Sequence, residues 1–346
     1  MQRIHFKFLE AGVSLESDWP ELVGVLSKDF WSFAMSTESS STFKLKIVKS
    51  NMRPDFPVMK ATFQNQNAIV YDVRNNRYCD YYGEAFATIN FKTNEAVIFS
   101  DNFEKAHEVA YLMILSRVGK KLDLMGFHKI HAFAISFKGK ALVCMMPSKG
   151  GKSTLLMELL KDDRVKMLSD DIPLIGPHGF VYSFPLKLGL NTIPESLKIN
   201  NRDENIYQMN RTHYGVKNLV CTRGLDGKVE KAGTAFSNVI LLSAQRYNEE
   251  KSIINSESWP SSFKGLFLHG VIGLGTPMVL EYFWENGIND FLVKTKIFFL
   301  RLSRFFFFSL KSTKLNISLG RNPELAARQI LNYLENKNNS SSTGIK

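Results

Sequence analysis

The chain has 346 residues, which is enough for two domains or for one large domain with a smaller one attached. Hydrophobic residues make up 44% of it and charged residues 22%, so a packed core is possible and no bulk disorder is implied. The formal net charge of +11 favours acidic partners such as nucleotides, phosphorylated substrates, nucleic acids or an anionic membrane face.

The three cysteines, Cys79, Cys144 and Cys221, form neither a metal-ligand cluster nor an even-numbered disulfide framework. This usage predicts buried structural thiols in a reducing compartment. The first residues show no signal peptide, and no stretch of about 20 residues is free of charge as a transmembrane helix would require. We therefore predict a cytoplasmic protein.

Residues 1–124 are predicted to form an N-terminal antiparallel α+β domain, a β-meander followed by a helix. Alternating apolar residues and turn-forming asparagines indicate two hairpins, which turn at 74–77 and at 92–94. Apolar residues at helical spacing predict a helix over Phe103–Lys120. The predicted strands are Thr42–Val48, Ala68–Val73, Tyr78–Tyr82, Ala85–Phe91 and Glu95–Phe99.

A second domain is predicted over residues 125–336, and the polar tail 337–346 is predicted to be disordered. The predicted strands are His131–Phe137, Ala141–Met146, Val165–Leu168, Ile172–Ile175, Phe180–Phe184 and Val239–Leu242. The predicted helices are Leu155–Lys161, Ser262–Gly270, Pro277–Trp284, Asp290–Leu310 and Pro323–Leu334.

A glycine-rich turn lies between the apolar strand Ala141–Met146 and the following helix, which is the context of a P-loop. Gly150 and Gly151 permit backbone angles that let successive N–H groups converge on phosphate oxygens. Lys152 would reach the β- and γ-phosphates, and the hydroxyl of Ser153 would bind Mg²⁺. The predicted ATP-binding residues are Ser148, Lys149, Gly150, Gly151, Lys152, Ser153 and Thr154.

The loop departs from the usual P-loop pattern at one position, because Met146 stands where the leading glycine is expected. Lys149 is a second irregularity within the turn. These two residues keep an alternative open, in which the protein is a nucleotide-binding scaffold or regulator that transfers no phosphate.

Two adjacent acids, Asp170 and Asp171, follow the short apolar strand Val165–Leu168. A parallel sheet would place this strand beside the P-loop strand, with both acids near Lys152. One carboxylate, predicted as that of Asp171, can hold Mg²⁺ together with Ser153, while an acid of the pair accepts the proton of an attacking hydroxyl. Asp170 and Asp171 are both candidate catalytic residues.

With these motifs the sequence resembles the HPr kinase/phosphorylase family and its relatives, including kinases of peptide-modification clusters. The resemblance covers about residues 125–335 and includes His131, twenty-one residues before Lys152, together with the loop and the acid pair. Segments 184–190 and 270–275 also look like the related kinases.

The resemblance implies an α/β fold: an HPr-kinase-like P-loop domain, here with the N-terminal antiparallel α+β domain before it. It implies a central sheet unlike that of ordinary parallel-sheet NTPases. It also implies Mg²⁺-ATP as the phosphate donor, Asp170 or Asp171 as the base, and His131 as a catalytic residue near the phosphates. Lys149 stands where the family has a glycine, and the motif for the family's protein substrate is not recognisable.

The acceptor is left open among a serine of a peptide or protein and a sugar hydroxyl, and homo-oligomers are also left open. Nucleic acid is not an expected partner, since no helix-turn-helix, zinc finger or RNA-binding strand motif is recognisable. Three basic side chains, Arg211, His213 and Arg246, could contact an acceptor or phosphate, although solvated loop positions are the favoured interpretation of all three.

A basic and aromatic helix is predicted near the C-terminus. Residues 287–346 hold ten Lys and Arg against three Asp and Glu, a local excess of seven positive charges. At helical spacing, Lys294, Arg301, Arg304 and Lys311 fall within a single arc of about 100°. One interpretation is a core helix with a solvated basic edge; the other is that residues 291–311 bind an anionic membrane surface or a protein partner.

Overall fold

The computed structural model describes residues 1–37, 42–52, 54, 60–147, 150–195, 197–211, 215–225, 227–246, 249–273 and 288–342. These residues form a mixed α/β fold with four β-sheets. Several predictions fall outside the described residues, namely those for Ser148, Lys149, His213 and the helix Pro277–Trp284.

The first sheet has nine strands in the spatial order β3-β1-β2-β4-β9-β8-β7-β6-β5. They are β1 (Gln2–Phe8), β2 (Ala11–Ser17), β3 (Ala34–Met35), β4 (Phe43–Lys49), β5 (Phe63–Gln64), β6 (Ile69–Val73), β7 (Asn76–Asp80), β8 (Phe86–Asn90) and β9 (Glu95–Ser100). The pairings are mostly antiparallel as predicted, but the antiparallel meander is interrupted at β4, which pairs in parallel with both β2 and β9. The helix α1 (Pro20–Asp29) follows β2, and a crossover of this kind lets the chain return in the same direction.

Both predicted hairpins of this sheet are present. In the hairpin of β6 and β7, Arg74 adopts the left-handed conformation, with φ of 53°, rather than the asparagines that follow it. In the hairpin of β8 and β9, Asn94 does so, with φ of 55°, in keeping with the tolerance of asparagine for positive φ. The helix α2 (Phe103–Leu124) covers the sheet and runs four residues further than predicted.

The core under this first sheet is shared with later residues. Phe184 packs against Phe8 and Phe33 with ring centroids 6.0 and 4.9 Å apart, and Ile172, Leu174 and Leu186 are also buried in the same cluster. The segment that follows the two acids is therefore fixed by contacts with the first part of the chain.

The central sheet has six strands in the order β13-β11-β12-β20-β22-β21. They are β11 (Phe133–Phe137), β12 (Lys140–Met145), β13 (Val165–Ser169), β20 (Val239–Arg246), β21 (Ile253–Ser256) and β22 (Thr313–Leu319). The expectation that β13 lies directly beside the P-loop strand β12 was wrong, because β11 lies between them and is antiparallel to both. The tight hairpin at Lys138 and Gly139 makes β11 the natural neighbour of β12.

Two smaller sheets flank the central one. The first has the order β10-β14-β15-β19 and contains the predicted hairpin after the acids. The second has the order β16-β18-β17. Their strands are β10 (His128–Lys129), β14 (Leu174–Ile175), β15 (Val181–Tyr182), β16 (Leu188–Leu190), β17 (Ile206–Arg211), β18 (Gly215–Val220) and β19 (Ala235–Phe236).

The remaining helices follow in the second part of the chain, and all but the four-residue one, which contacts β17, pack on the two faces of the central sheet. They are α3 (Lys152–Leu159), α4 (Arg202–Asn205), α5 (Trp259–Leu266) with a π-helix at Phe267–Ile272, α6 (Ile288–Lys311) and α7 (Pro323–Ser342). Helix α7 continues to Ser342, so residues 337–342 of the segment predicted as disordered are helical. Within the described residues, no helix combines the length and apolar character needed to cross a bilayer.

Candidate functional site

The order of the central sheet brings the predicted catalytic residues to one edge. Strands β12 and β13 both end there, and the antiparallel strand β11 begins there. Lys152 follows β12, Asp170 and Asp171 follow β13, and His131 precedes β11. These residues therefore lie close together because β11 is inserted between β12 and β13, and not because β12 and β13 are parallel neighbours as expected.

The turn between β12 and α3 requires both of its glycines. The N–H of Gly150 donates to the carbonyl of Pro147 at 3.0 Å, and a Cβ on Gly150 would lie 2.8 Å from that same oxygen. Gly151 precedes the helix with φ of +100°, a conformation that L side chains rarely adopt. Met146, at the position of the usual leading glycine, is buried in the core.

We expect Gly151→Ala to weaken the Mg·ATP binding that the sequence predicts, because a Cβ strains the left-handed conformation that sets the start of α3. Gly139→Ala is the matched control, since Gly139 has a similar φ of +78° in open space in the hairpin of β11 and β12. Both changes should destabilise the fold by about 1 kcal/mol. Calorimetric titration with Mg·ATP checks the difference, and equal losses of affinity in the two variants would contradict it.

Lys152, His131 and Asp171 form a contact cluster at the start of α3. Nζ of Lys152 donates to Nε2 of His131 and lies 3.5 Å from Oδ1 of Asp171. Nδ1 of His131 lies 3.2 Å from that same oxygen. When Nε2 accepts from the lysine, the ring proton resides on Nδ1. Lys152 and His131 are nearly buried, whereas 45% of the Asp171 side chain is exposed.

The ionisation of this cluster follows from burial and charge. Burial lowers the pKa of Lys152, and the Asp171 carboxylate opposes part of that change. Burial by itself would raise the pKa of Asp171, but contact with His131 and the charge of Lys152 outweigh it, so the pKa is lowered. Asp171 is therefore an anion at neutral pH, exposed to approach from solvent.

Asp170 has a different environment from its neighbour. Its Oδ2 accepts a hydrogen bond from the N–H of Gly189 at 3.3 Å. Burial raises the pKa of Asp170 to about 6, the Asp171 carboxylate adds to the rise, and the charge of Lys217 opposes it. Adjacent acids with pKa values displaced in opposite directions can take different roles in one reaction.

Two side chains at this site were not singled out from the sequence. Lys217, on β18, lies over Gly189, where a Cβ would be 2.8 Å from the lysine Nζ. His269, in the π-helix, accepts the backbone N–H of His131 at 3.0 Å through its carbonyl, and its ring lies 5.9 Å from the His131 ring. Segments 184–190 and 270–275 were part of the resemblance. Lys217 lies over Gly189 of the first segment and His269 immediately precedes the second, so the resemblance could have indicated both residues.

The other predicted residues lie at different places. Nε of Arg246, at the end of β20, donates to the carbonyl of Gly150 at 3.3 Å, so this arginine reaches the loop. Ser153 is partly buried and Thr154 is exposed in the first turn of α3. Arg211 ends β17, while its side chain lies outside the described part.

This arrangement places the first N–H groups of α3, the cations Lys152, Lys217 and Arg246, and the carboxylates of Asp170 and Asp171 at one sheet edge. Within the described ranges, no group of three or more His, Cys, Asp or Glu side chains is placed to hold a metal ion. Comparison of the chain with models of protein families and with curated proteins gave no match. A function is therefore inferred from the site itself.

Proposed function

We propose that this protein is an ATP-dependent kinase with an HPr-kinase-like P-loop domain, which transfers the γ-phosphate of Mg·ATP to a hydroxyl acceptor. The observation that carries the proposal is the convergence of Lys152, His131 and Asp171 at the helix start formed by Gly150 and Gly151. Helix starts of this kind bind phosphates, and phosphoryl transfer also requires carboxylates beside them.

Each residue has a defined role in this proposal. Lys152 and the N–H groups at the start of α3 bind the β- and γ-phosphates. Asp170 accepts the proton of the acceptor hydroxyl, whose oxygen attacks the γ-phosphorus while the bond to the β–γ bridging oxygen breaks and ADP leaves. A carboxylate with a pKa of about 6 suits this role, since a base is most effective when its pKa lies near the working pH.

The donor set also suits Mg²⁺. The partly exposed carboxylate of Asp171 and the hydroxyl of Ser153 are oxygen ligands at the loop, and they would hold the ion. Mg²⁺ in such sites is bound through one or two carboxylates and substrate phosphates, so a cage made of protein alone is not required. When bound, the ion would neutralise charge on the phosphates. His131 would help to orient Asp171, since its Nδ1 lies 3.2 Å from that carboxylate.

The proposal is tested with ATP labelled in the γ-phosphate, incubated with the protein and with candidate peptide, protein and sugar acceptors. We expect transfer in the native protein, and a loss of about 10²–10³-fold in Lys152→Ala. Lys166→Ala is the control, because Lys166 is exposed on β13 and remote from the loop along its strand.

Full transfer activity in Lys152→Ala would contradict the proposed mechanism. Tight Mg·ATP binding without transfer to any acceptor in cell extract would instead favour the nucleotide-binding scaffold. The two outcomes are separated by measuring nucleotide affinity and transfer on the same protein preparations.

A further inference from the structure

Helix α6 presents an apolar face to solvent. Of its residues, Phe291, Leu292, Phe299 and Phe307 are between 57% and 64% exposed. Half of the eighteen exposed large hydrophobic residues in the described part of the chain lie on this one helix. Scattered exposed hydrophobics are ordinary on a protein surface, whereas a continuous apolar face indicates an interaction site.

Two of the four residues in the predicted basic arc, Lys294 and Arg301, are largely or fully buried. The interpretation of this arc as a solvated basic edge is therefore wrong at these two positions. Arg301 is buried and forms an ion pair with Asp123 of α2, and its Nε donates to Oδ1 at 2.9 Å. Lys294 contacts Asp290 one turn earlier. The side of the helix that carries Arg301 and the buried Phe305 and Phe308 thus packs against the protein, and Phe291, Leu292, Phe299 and Phe307 are left exposed.

The second side of the helix is fixed by aromatic contacts. Phe306 meets the rings of Trp259 and Phe263 edge to face, at 5.5 and 5.8 Å. The indole N–H of Trp259 donates to Oγ of Ser309 at 2.8 Å. These contacts hold α6 in one rotation about its axis, so the apolar face is a fixed feature of the fold.

The exposed charged residues that α6 itself carries are positive. Lys296 and Lys311 are exposed on α6 next to the apolar residues. The helix's acidic residue, Asp290, is buried and lies 3.2 Å from Nζ of Lys120. A second copy of this chain would bring the same positive charges to its own face, whereas an anionic surface would neutralise them.

We propose that α6 is a membrane-binding surface that places this protein on a bilayer containing anionic phospholipid. Phe291, Leu292, Phe299 and Phe307 enter the boundary between headgroups and acyl chains, and Lys296 and Lys311 bind lipid phosphates. The helix is about 36 Å long at 1.5 Å per residue. These four exposed apolar residues extend from Phe291 to Phe307, so the helix lies along the membrane surface over that part of its length. This proposal is independent of the kinase activity.

The test is flotation of the full chain with phosphatidylcholine vesicles and with mixed phosphatidylcholine–phosphatidylglycerol vesicles. We expect binding to the mixed vesicles and at least about tenfold weaker binding to the neutral ones, because each lysine near an anionic surface contributes about a fivefold gain. The pair Lys296→Gln and Lys311→Gln should lower binding to mixed vesicles about tenfold or more. The pair Phe299→Gln and Phe307→Gln should lower it on both vesicle types.

The matched control joins Lys166→Gln with Ile253→Gln, which changes an exposed lysine and an exposed apolar residue elsewhere on the protein. Circular dichroism of every variant shows that the fold is retained. The proposal is overturned when no vesicle is bound, or when the α6 variants bind as the control does. It is also overturned if light scattering without lipid shows that the native protein is a dimer and that the variant with Phe299→Gln and Phe307→Gln is a monomer.

Discussion

Asp170→Asn is expected to lower phosphoryl transfer by about 10²–10⁴-fold while Mg·ATP affinity changes little. The amide oxygen of asparagine can still accept the N–H of Gly189, so the local backbone is kept. The amide cannot accept a proton from the acceptor hydroxyl. The expected loss is therefore in the rate of transfer, measured at saturating nucleotide.

The pH dependence gives an independent reading of the same residue. Because burial raises the pKa of Asp170 to about 6, its base form is populated above that pH, and transfer by the native protein should rise with pH and level off beyond it. The residual activity of Asp170→Asn should lack this rise. Asp170 would not be the base if the native transfer rate were constant between pH 5 and 7. The same would follow if the rate of Asp170→Asn rose with pH as the native rate does.

Asp171→Asn is the matched comparison at the neighbouring position. Its carboxylate lies 3.5 Å from Nζ of Lys152 and 3.2 Å from Nδ1 of His131, so the change disturbs both. We expect a higher Mg²⁺ concentration to be needed for half-maximal transfer in this variant, because the proposed carboxylate ligand is lost. A change in Mg²⁺ requirement in Asp170→Asn instead would reverse the two assignments.

Local sequence patterns could predict the parts of the site that lie close along the chain. The loop residues Gly150, Gly151 and Lys152 form one strand–turn–helix unit, which the glycines and the apolar strand indicate directly. The spacing of His131 to Lys152 pointed to a shared site only through the resemblance. The two residues come close because β11 and β12 form a hairpin between them. The structure brings these residues together with Asp171.

Contacts between distant strands could not be predicted in this way. Lys217 lies over Gly189 because β16 and β18 pair in a particular register, and register between such strands is fixed by packing rather than by local pattern. The parallel pairings of β4 were missed for the same reason. Helical spacing grouped the basic residues of α6 correctly, yet it could not tell which side of the helix faces the protein.

Asp123→Ala is expected to lower the free energy of unfolding by about 3–5 kcal/mol, because it removes one member of a buried charge pair and leaves the other charge buried. Asp123 is fully buried at the end of α2, where it accepts from Arg301 and from Nδ1 of His128 at 2.9 Å. The change leaves the Arg301 guanidinium buried without this anion. Lys129 is also buried nearby, and burial lowers its pKa to about 8 while Asp123 opposes the change.

The matched control is Asp163→Ala, which removes another paired aspartate but at the surface. Asp163 lies 2.7 Å from Nζ of Lys228 with 86% of its side chain exposed, so little change in the free energy of unfolding is expected. Urea denaturation of both variants measures the difference. Equal stability of the two would show that the attachment of α6 to α2 does not depend on this ion pair.

The pH dependence of stability follows from the same contacts. Burial alone would raise the pKa of Asp123, but the charge of Arg301 and the hydrogen bonds from Arg301 and His128 together outweigh it, so the folded-state pKa lies below the unfolded value of about 4. The stabilisation by Asp123 is present above the unfolded pKa and is lost as pH falls through the folded one. The stability gap between native protein and Asp123→Ala should therefore persist from neutral pH down to about 4 and close only in stronger acid. A gap that closes above pH 5 would place the stabilisation in another group.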